Sequence, residues 1–252
     1  MALYVTTRGL VLRSADYKES SRMLTLLTEA EGKISASAKG VRRKNSRLAA
    51  AAQPFAWAEF TLSQTAGRWT VTEANALELF PGVAADLERF ALAAYLAELL
   101  ETFCRDGLPE PELLRLGLNS FHTLSEGRKD PALVKAAFEL RLLCLAGYAP
   151  QMDRCSACGE EAPAEPVFAL DGGGLMCRAC AAKGEIPAAR LCRDSLAAER
   201  YVEGAEDKRL SSFQLTGDPL RRFAAANERY LRGMLEREPR TLAYYKQIEN
   251  LK

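Results

Sequence analysis

Histidine is almost missing from this 252-residue chain, with His122 the single example. A Ser-His-Asp triad would have to be built on His122, and no Gly-x-Ser-x-Gly elbow accompanies it. The chain also lacks a Gly-x-x-x-x-Gly-Lys-Ser/Thr run, so nothing in it signals a phosphate-cradling ATPase loop. No apolar run approaches the roughly 18 residues that span a bilayer. The opening Met1-Ala2-Leu3-Tyr4-Val5-Thr6-Thr7-Arg8 lacks the basic-then-apolar order of a secretory signal. These absences point to a cytoplasmic chain that is not an enzyme.

Net charge is also scarce, at +1, which taken alone argues against a polyanionic partner. The distribution argues otherwise. Residues 1–50 hold ten Lys/Arg and four Asp/Glu, a surplus of +6, and the rest of the chain carries −5. Local positive field, not the average, sets affinity for phosphate.

Residues 1–80 read as short β-branched and aromatic runs with tight turns. A first strand is expected to begin with Gly9-Leu10-Val11-Leu12, and others from Arg22 to Thr28, Lys33 to Lys39, Phe55 to Leu62 and Trp69 to Ala74. An Ala-rich link from Leu48 to Ala52 has room for a short helix between the third and fourth. Five strands with such an insert suit an OB-type barrel, and an SH3-like barrel fits nearly as well.

Pro81-Gly82 ends that pattern and helical periodicity follows. Helices are expected over about 86–104, 111–125, 132–146, 193–203 and 219–236. The third is apolar almost all round, as a helix at the centre of a bundle is. Asp218-Pro219 is a start signal for the last. The whole is an α+β multidomain chain. Its expected segments are a barrel at 1–80, a helical domain at 81–150 and 186–252, and a zinc-ribbon-like insert at 151–185.

That insert rests on four of the seven cysteines. Cys155-Ser156-Ala157-Cys158-Gly159 and Cys177-Arg178-Ala179-Cys180 form a C-x₂-C-x₁₈-C-x₂-C pattern. Two residues between cysteines let both sulfurs reach one tetrahedral ion, and four thiolates leave no open position for an activated water. One structural Zn²⁺ on Cys155, Cys158, Cys177 and Cys180 is therefore expected. The competing reading is a redox-active Cys-x-x-Cys, which leaves the second pair unexplained. Gly172-Gly173-Gly174 provides a hairpin between the knuckles. Cys104 and Cys144 read as small core residues, and Cys192 has no evident partner.

Lys39-Gly40-Val41-Arg42-Arg43-Lys44-Asn45-Ser46-Arg47 packs five cations into nine residues without an acid. Lys39, Arg42, Arg43, Lys44 and Arg47 are the candidate DNA contacts. OB barrels hold single strands by joining such a basic groove to aromatic platforms. Tyr17, Phe55, Trp57, Phe60 and Trp69 are the candidate platforms, most of them expected to be core. The plainer alternative is a solvated loop.

The ordered motifs resemble the RecO family of bacterial recombination mediators. They run Gly9-Leu10-Val11-Leu12-Arg13, Tyr17-Lys18-Glu19, Leu24 to Thr28, Glu31-Gly32-Lys33, Ala38 to Arg43 and Gln53-Pro54-Phe55. Phe138 to Leu143 and Gly147-Tyr148 then lead into the first knuckle. The resemblance implies binding of single- and double-stranded DNA and annealing of complementary strands. It implies partnership with RecR in helping RecA replace single-stranded DNA-binding protein (SSB), without nucleotide hydrolysis. It also implies a nucleoid-associated location and contact with the acidic, Phe-ended SSB tail. Arg221, Arg222, Arg229 and Arg232, near Phe223, Tyr230 and Leu231, are one candidate for that contact; Lys135 and Arg141 are others. Two different readings remain beside it. One is a zinc-ribbon transcription or RNA-binding factor with an OB domain. The other is an interaction scaffold held by its metal.

Overall fold

The computed structural model describes residues 3–161, 163, 166–169, 173–184, 188–235 and 237–251. Gly172 of the expected hairpin and Glu236 at the expected end of the last long helix lie outside them. In chain order the elements begin with β1 (Leu3–Tyr17), β2 (Ser21–Thr28), β3 (Gly32–Ala38), β4 (Trp57–Thr65) and β5 (Arg68–Glu78). Then come α1 (Pro81–Ala84), α2 (Leu87–Phe103), α3 (Pro111–Glu126) and α4 (Pro131–Leu145). The cysteine segment contributes β6 (Gln151–Cys155), β7 (Val167–Ala169), β8 (Gly174–Met176), α5 (Arg178–Ala181) and β9 (Ala188–Arg190). The chain continues with α6 (Arg193–Gly204), α7 (Gly217–Met234) and α8 (Arg240–Glu249). No helix among the described residues is long and apolar enough to cross a membrane.

Two compact units result: residues 1–127 with 239–252, and residues 128–238. In the first, the five strands close a barrel in the order β1-β2-β3-β5-β4. Every neighbour pair is antiparallel except β3 and β5, which run parallel with Ala36 opposite Trp69 and Ala38 opposite Val71. That order, with the third strand beside the fifth, is the OB arrangement and excludes the simple meander of an up-and-down barrel. Side chains alternate along β3, so Ile34, Ala36 and Ala38 enter the core while Lys33, Ser35 and Ser37 do not. Val11, Leu24, Leu26, Phe60, Leu62 and Val71 fill the rest of the interior.

β1 starts at Leu3, earlier than the Gly9 that the sequence pattern indicated. Its first half pairs with β4 and its second with β2, around an irregularity between Val11 and Arg13. The link between β3 and β4 forms no continuous helix. It winds through successive turns closed by Arg43 N–H to Gly40 C=O, Ser46 to Arg43 and Gln53 to Ala50.

α2 is buried almost all round, through Ala91, Leu92, Tyr95, Leu96, Leu99 and Leu100. α3 lies close to it. A Cβ on Gly117 would come within 2.7 Å of a Leu100 methyl and 3.3 Å of a Leu10 methyl, so any larger residue there must push those side chains aside. α8 was not anticipated. Its cap position is Pro239, which has no side-chain cap bond, and Glu98 of α2 supplies one instead. The Glu98 carboxylate accepts from the N–H groups of Arg240 at 3.2 Å and Thr241 at 2.9 Å.

The second unit packs α4 against α7 and α6. α4 is apolar nearly all round, as expected, but carries a buried charge. Lys135 lies 2.8 Å from Glu139 and 2.9 Å from Glu228 of α7. A small sheet of order β6-β8-β7-β9 completes the unit. Phe168 of β7 meets Tyr230 of α7 edge-on at 5.4 Å, and the Tyr230 hydroxyl donates to the Tyr148 carbonyl.

Candidate metal centre and nucleic-acid interface

The first Cys-x-x-Cys pair begins at the end of β6 and the second spans the start of α5. Gly159 holds φ at 78°, which lets its N–H turn back to the Cys155 carbonyl at 2.9 Å. The Ser156 N–H bonds the Leu175 carbonyl at 2.7 Å and ties the first knuckle to β8. Together these place the sulfurs of Cys155, Cys158, Cys177 and Cys180 within 4.8 Å of one another. A tetrahedral ion with metal–sulfur bonds of about 2.3 Å needs sulfur–sulfur edges of about 3.8 Å. Cys158 and Cys177 stand 3.8 Å apart. Three of the four are buried, and Cys158 is exposed.

The protonation pattern fits the same conclusion. Burial opposes a Cys155 thiolate, but N–H groups of Cys177, Cys158 and Ala157 outweigh it and bring the thiol down to about 6. One of those donors, the Cys177 N–H, lies 3.3 Å from the sulfur. Cys180 is pushed up to about 12. Hydrogen bonds with Cys177 and Cys158 favour its neutral form, and burial and the Cys155 charge add to that. The fold thus stabilises the Cys155 thiolate and opposes ionisation of Cys177 and Cys180. A dication would let all four ionise, and the four-cysteine group can hold a metal. The remaining cysteines differ. Burial drives Cys104 up to about 12 and Cys144 to about 11, as small core thiols behave. Cys192 caps α6, bonded through its N–H to Ser195 Oγ at 2.7 Å. His122 is exposed on α3, 3.9 Å from Glu126.

The basic stretch occupies the turns after β3. Lys39, Arg42, Arg43, Lys44 and Arg47 are all exposed. Gly40, at φ 68°, turns the chain, and Val41 alone points inward, 5 % exposed. Two bonds dock this segment on the β1–β2 turn: the Arg42 N–H to the Ser20 carbonyl at 3.1 Å and the Gly40 N–H to Ser21 Oγ at 3.4 Å. Arg42 Nη1 also meets Asp16 Oδ2 at 3.2 Å, and Asp16 meets Arg22. Among the described residues Lys39, Arg43, Lys44 and Arg47 have no carboxylate partner. Lys33, counted in the same positive surplus, is instead structural. Its ammonium donates to the Glu101 carbonyl at 2.6 Å and pairs with Asp106.

The aromatic candidates separate by burial. Phe60 is fully buried, and Phe55 is buried against Phe90 and Phe121. Trp57 and Trp69 are half-buried, and Tyr17 is exposed at the β1–β2 turn with the Lys18 ammonium 5.3 Å from its ring. Charge counting did not single out Lys18 and Arg22. Their place beside the basic stretch follows from strand pairing, with Arg22 opposite Asp16 on one side and Ala38 on the other.

On α7, Arg229 is exposed. Arg221 and Arg222 both engage Asp218, at 3.1 and 2.6 Å, and Arg232 engages Glu238 at 3.0 Å. Phe223, Tyr230 and Leu231 are buried in the unit's core, so they form no apolar slot beside the arginines. Lys135 is sequestered by its two glutamates, and Arg141 donates to the Glu203 carbonyl.

Two family models cover nearly all of the chain. Recombination protein O N terminal matches residues 1–80, and Recombination protein O C terminal matches residues 84–243. The chain belongs to the RecO family. Among its relatives is the DNA repair protein RecO of Acetivibrio thermocellus, 30 % identical over 249 residues that span 99 % of each chain. The DNA repair protein RecO of Desulforudis audaxviator is 35 % identical over 244 residues, 96 % of each. That of Desulfitobacterium hafniense is 40 % identical over 181 residues, 71 % of this chain and 66 % of the relative. The RecO N-terminal match ends with the barrel, and the C-terminal match takes in every helix from α2 to α7 together with the cysteine segment.

Proposed function

We propose that this RecO-family chain binds single- and double-stranded DNA through Lys39, Arg42, Arg43, Lys44 and Arg47 and anneals complementary strands. With RecR it helps RecA displace SSB, and it contacts the SSB tail. It hydrolyses nothing, acts at the cytoplasmic nucleoid, and carries one structural Zn²⁺ on Cys155, Cys158, Cys177 and Cys180. The proposal includes a division into barrel (1–80), zinc insert (151–185) and a helical domain at 81–150 and 186–252.

The observation that carries this reading is the run of exposed cations, four of them without a carboxylate partner among the described residues, beside Tyr17 on an OB barrel. Two complementary strands repel through their phosphates. A protein surface that neutralises phosphates lowers the repulsion and raises the local concentration of the strands. Contacts to the backbone leave base edges free to pair. The metal's contribution is to hold both knuckles in one place; Cys155 and Cys177 do this through the N–H···S bond and their ties to β6 and β8.

The deciding experiment is annealing of complementary oligonucleotides coated with SSB. The reading expects acceleration without nucleotide, sensitive to salt. DNA binding without annealing would favour a transcription or RNA-binding factor, and absence of DNA binding would favour a scaffold.

A further inference from the structure

Of the seven cysteines in the chain, only Cys158 is exposed. The other three members of the quartet are core residues as well as candidate ligands. Cys155, Cys177 and Cys180 sit with Ala169 and Met176 in a small apolar cluster, each 9 % exposed or less, and Cys158 lies outside it. The cause is local. Residues 156–161 are all exposed, and Cys158 is flanked by Ala157 and Gly159, neither large enough to shield its sulfur. Cys155 is held in place by the Cys177 N–H at 3.3 Å from its sulfur and by its own N–H to the Glu160 carbonyl at 2.8 Å. One ligand therefore faces solvent on a turn, and three are fixed in packed structure.

That asymmetry has a chemical consequence. Sulfur oxidation follows exposure and thiolate character, and coordination to zinc preserves the second. We propose that Cys158 is a peroxide-oxidation site that controls whether the quartet holds its metal. The inference rests on the zinc reading above. The Cys158 sulfur attacks one oxygen of hydrogen peroxide. An S–O bond forms, the O–O bond breaks, and the departing hydroxide takes a proton and leaves as water. The Cys177 sulfur, 3.8 Å away, then attacks the sulfenic sulfur of Cys158. The S–S bond forms, the S–O bond breaks, and a second hydroxide leaves as water. Two thiolates, one peroxide and two protons thus give one disulfide and two waters. The sulfurs lose two electrons, peroxide gains them, and zinc stays a dication. Closing the pair to a bond of about 2.05 Å removes two of the four thiolates, and the ion is released. Metal binding in such a site is folding energy, so the cysteine sheet loses stability on oxidation.

The test uses the full-length zinc-loaded protein and hydrogen peroxide. Zinc release is followed with a chromogenic chelator, and cysteines are mapped by mass spectrometry with and without dimedone, which traps sulfenic acids. Within the quartet, dimedone should label Cys158 first. Without it, a Cys158–Cys177 disulfide should accumulate in step with zinc release, and a thiol reductant plus Zn²⁺ should reverse both. Cys158→His keeps a zinc ligand but cannot form the disulfide. It should release zinc about tenfold more slowly or less, because oxidation must then begin at a buried sulfur. Cys192→Ser, which removes a half-buried thiol outside the quartet, should release zinc as fast as wild type. Protein purified without zinc would sink the zinc reading and the inference with it. Zinc that is bound, but with the first label on Cys155, Cys177 or Cys180, or with a different disulfide, overturns the inference alone. So does release from Cys158→His at the wild-type rate. If Cys158→His fails to hold zinc, the wild-type map decides by itself.

Discussion

Arg42 Nη1 lies 3.2 Å from Asp16 Oδ2, and the other oxygen of the same carboxylate lies 3.3 Å from Arg22 Nε. One acid on β1 therefore bridges the β1–β2 hairpin to the basic turns after β3. It orients Arg42, and it also offsets part of the positive field. The two effects oppose each other for a polyanion.

Removing that charge distinguishes them. Asp16→Asn should raise affinity for single-stranded DNA about two- to fivefold at low salt, because an exposed pair of this kind is worth at most about 1 kcal/mol. The gain should fade as salt screens it. A loss of affinity would show that Asp16 matters more as an anchor for Arg42 than as a competing charge. Anisotropy titrations at two salt concentrations decide the point.

The metal prediction follows from the sulfur geometry. Purified protein should contain about one Zn²⁺ per chain with four thiolate ligands. Cys155→Ser together with Cys158→Ser should lower melting temperature or solubility more than it lowers the annealing rate of the protein that folds. Elemental analysis without zinc, alongside four freely titrating thiols, would contradict it.

A pH effect is built into the second unit. Glu199 is fully buried, its Oε1 accepting from Asn227 Nδ2 at 3.2 Å and its Oε2 without a partner among the described residues. Burial pushes its carboxyl well above the usual range, against the Asn227 bond, and Glu203 adds to the rise. Folding therefore favours the protonated acid. The contribution of Glu199 to stability is fully present below the ordinary carboxylate range and falls as pH rises towards the elevated folded value. Glu199→Gln removes the ionisation and should raise stability by about 1–3 kcal/mol above that range. It should also flatten the pH dependence of melting there. An unchanged melting profile from pH 5 to 9 would show that Glu199 ionises without cost (an interval chosen to bracket the range above about 4.3).

Much of this was legible in the residues. The five strands appear in order because each carries its own alternation, as Ile34, Ala36 and Ala38 do in β3. The parallel pairing of β3 with β5 is not local and left no mark in either strand. α8 was missed because Pro239-Arg240-Thr241 lacks a cap and its partner, Glu98, is far away in sequence. The cysteine quartet was readable from spacing alone, since two residues fix each knuckle. The groove lined by Arg190, Arg193 and Arg222 was not, because these residues meet only after β9, α6 and α7 have packed. The arginine face of α7 shows a related limit. Helical spacing shows which residues share a face but not that Phe223 and Leu231 are consumed by the core.

The central claim is that the turns after β3 neutralise phosphates. Its most direct test is the salt dependence of single-stranded DNA binding by wild type and by Arg42→Ala, Arg43→Ala, Lys44→Ala combined. Each phosphate neutralised contributes about −0.7 to the slope of log affinity against log salt, so the variant's slope should be shallower by about 2. The loss should be alike for different DNA sequences, because backbone contacts carry no base information. Zinc content and melting temperature should barely change. A variant with wild-type affinity and wild-type slope would contradict the account and place the DNA path elsewhere on the protein.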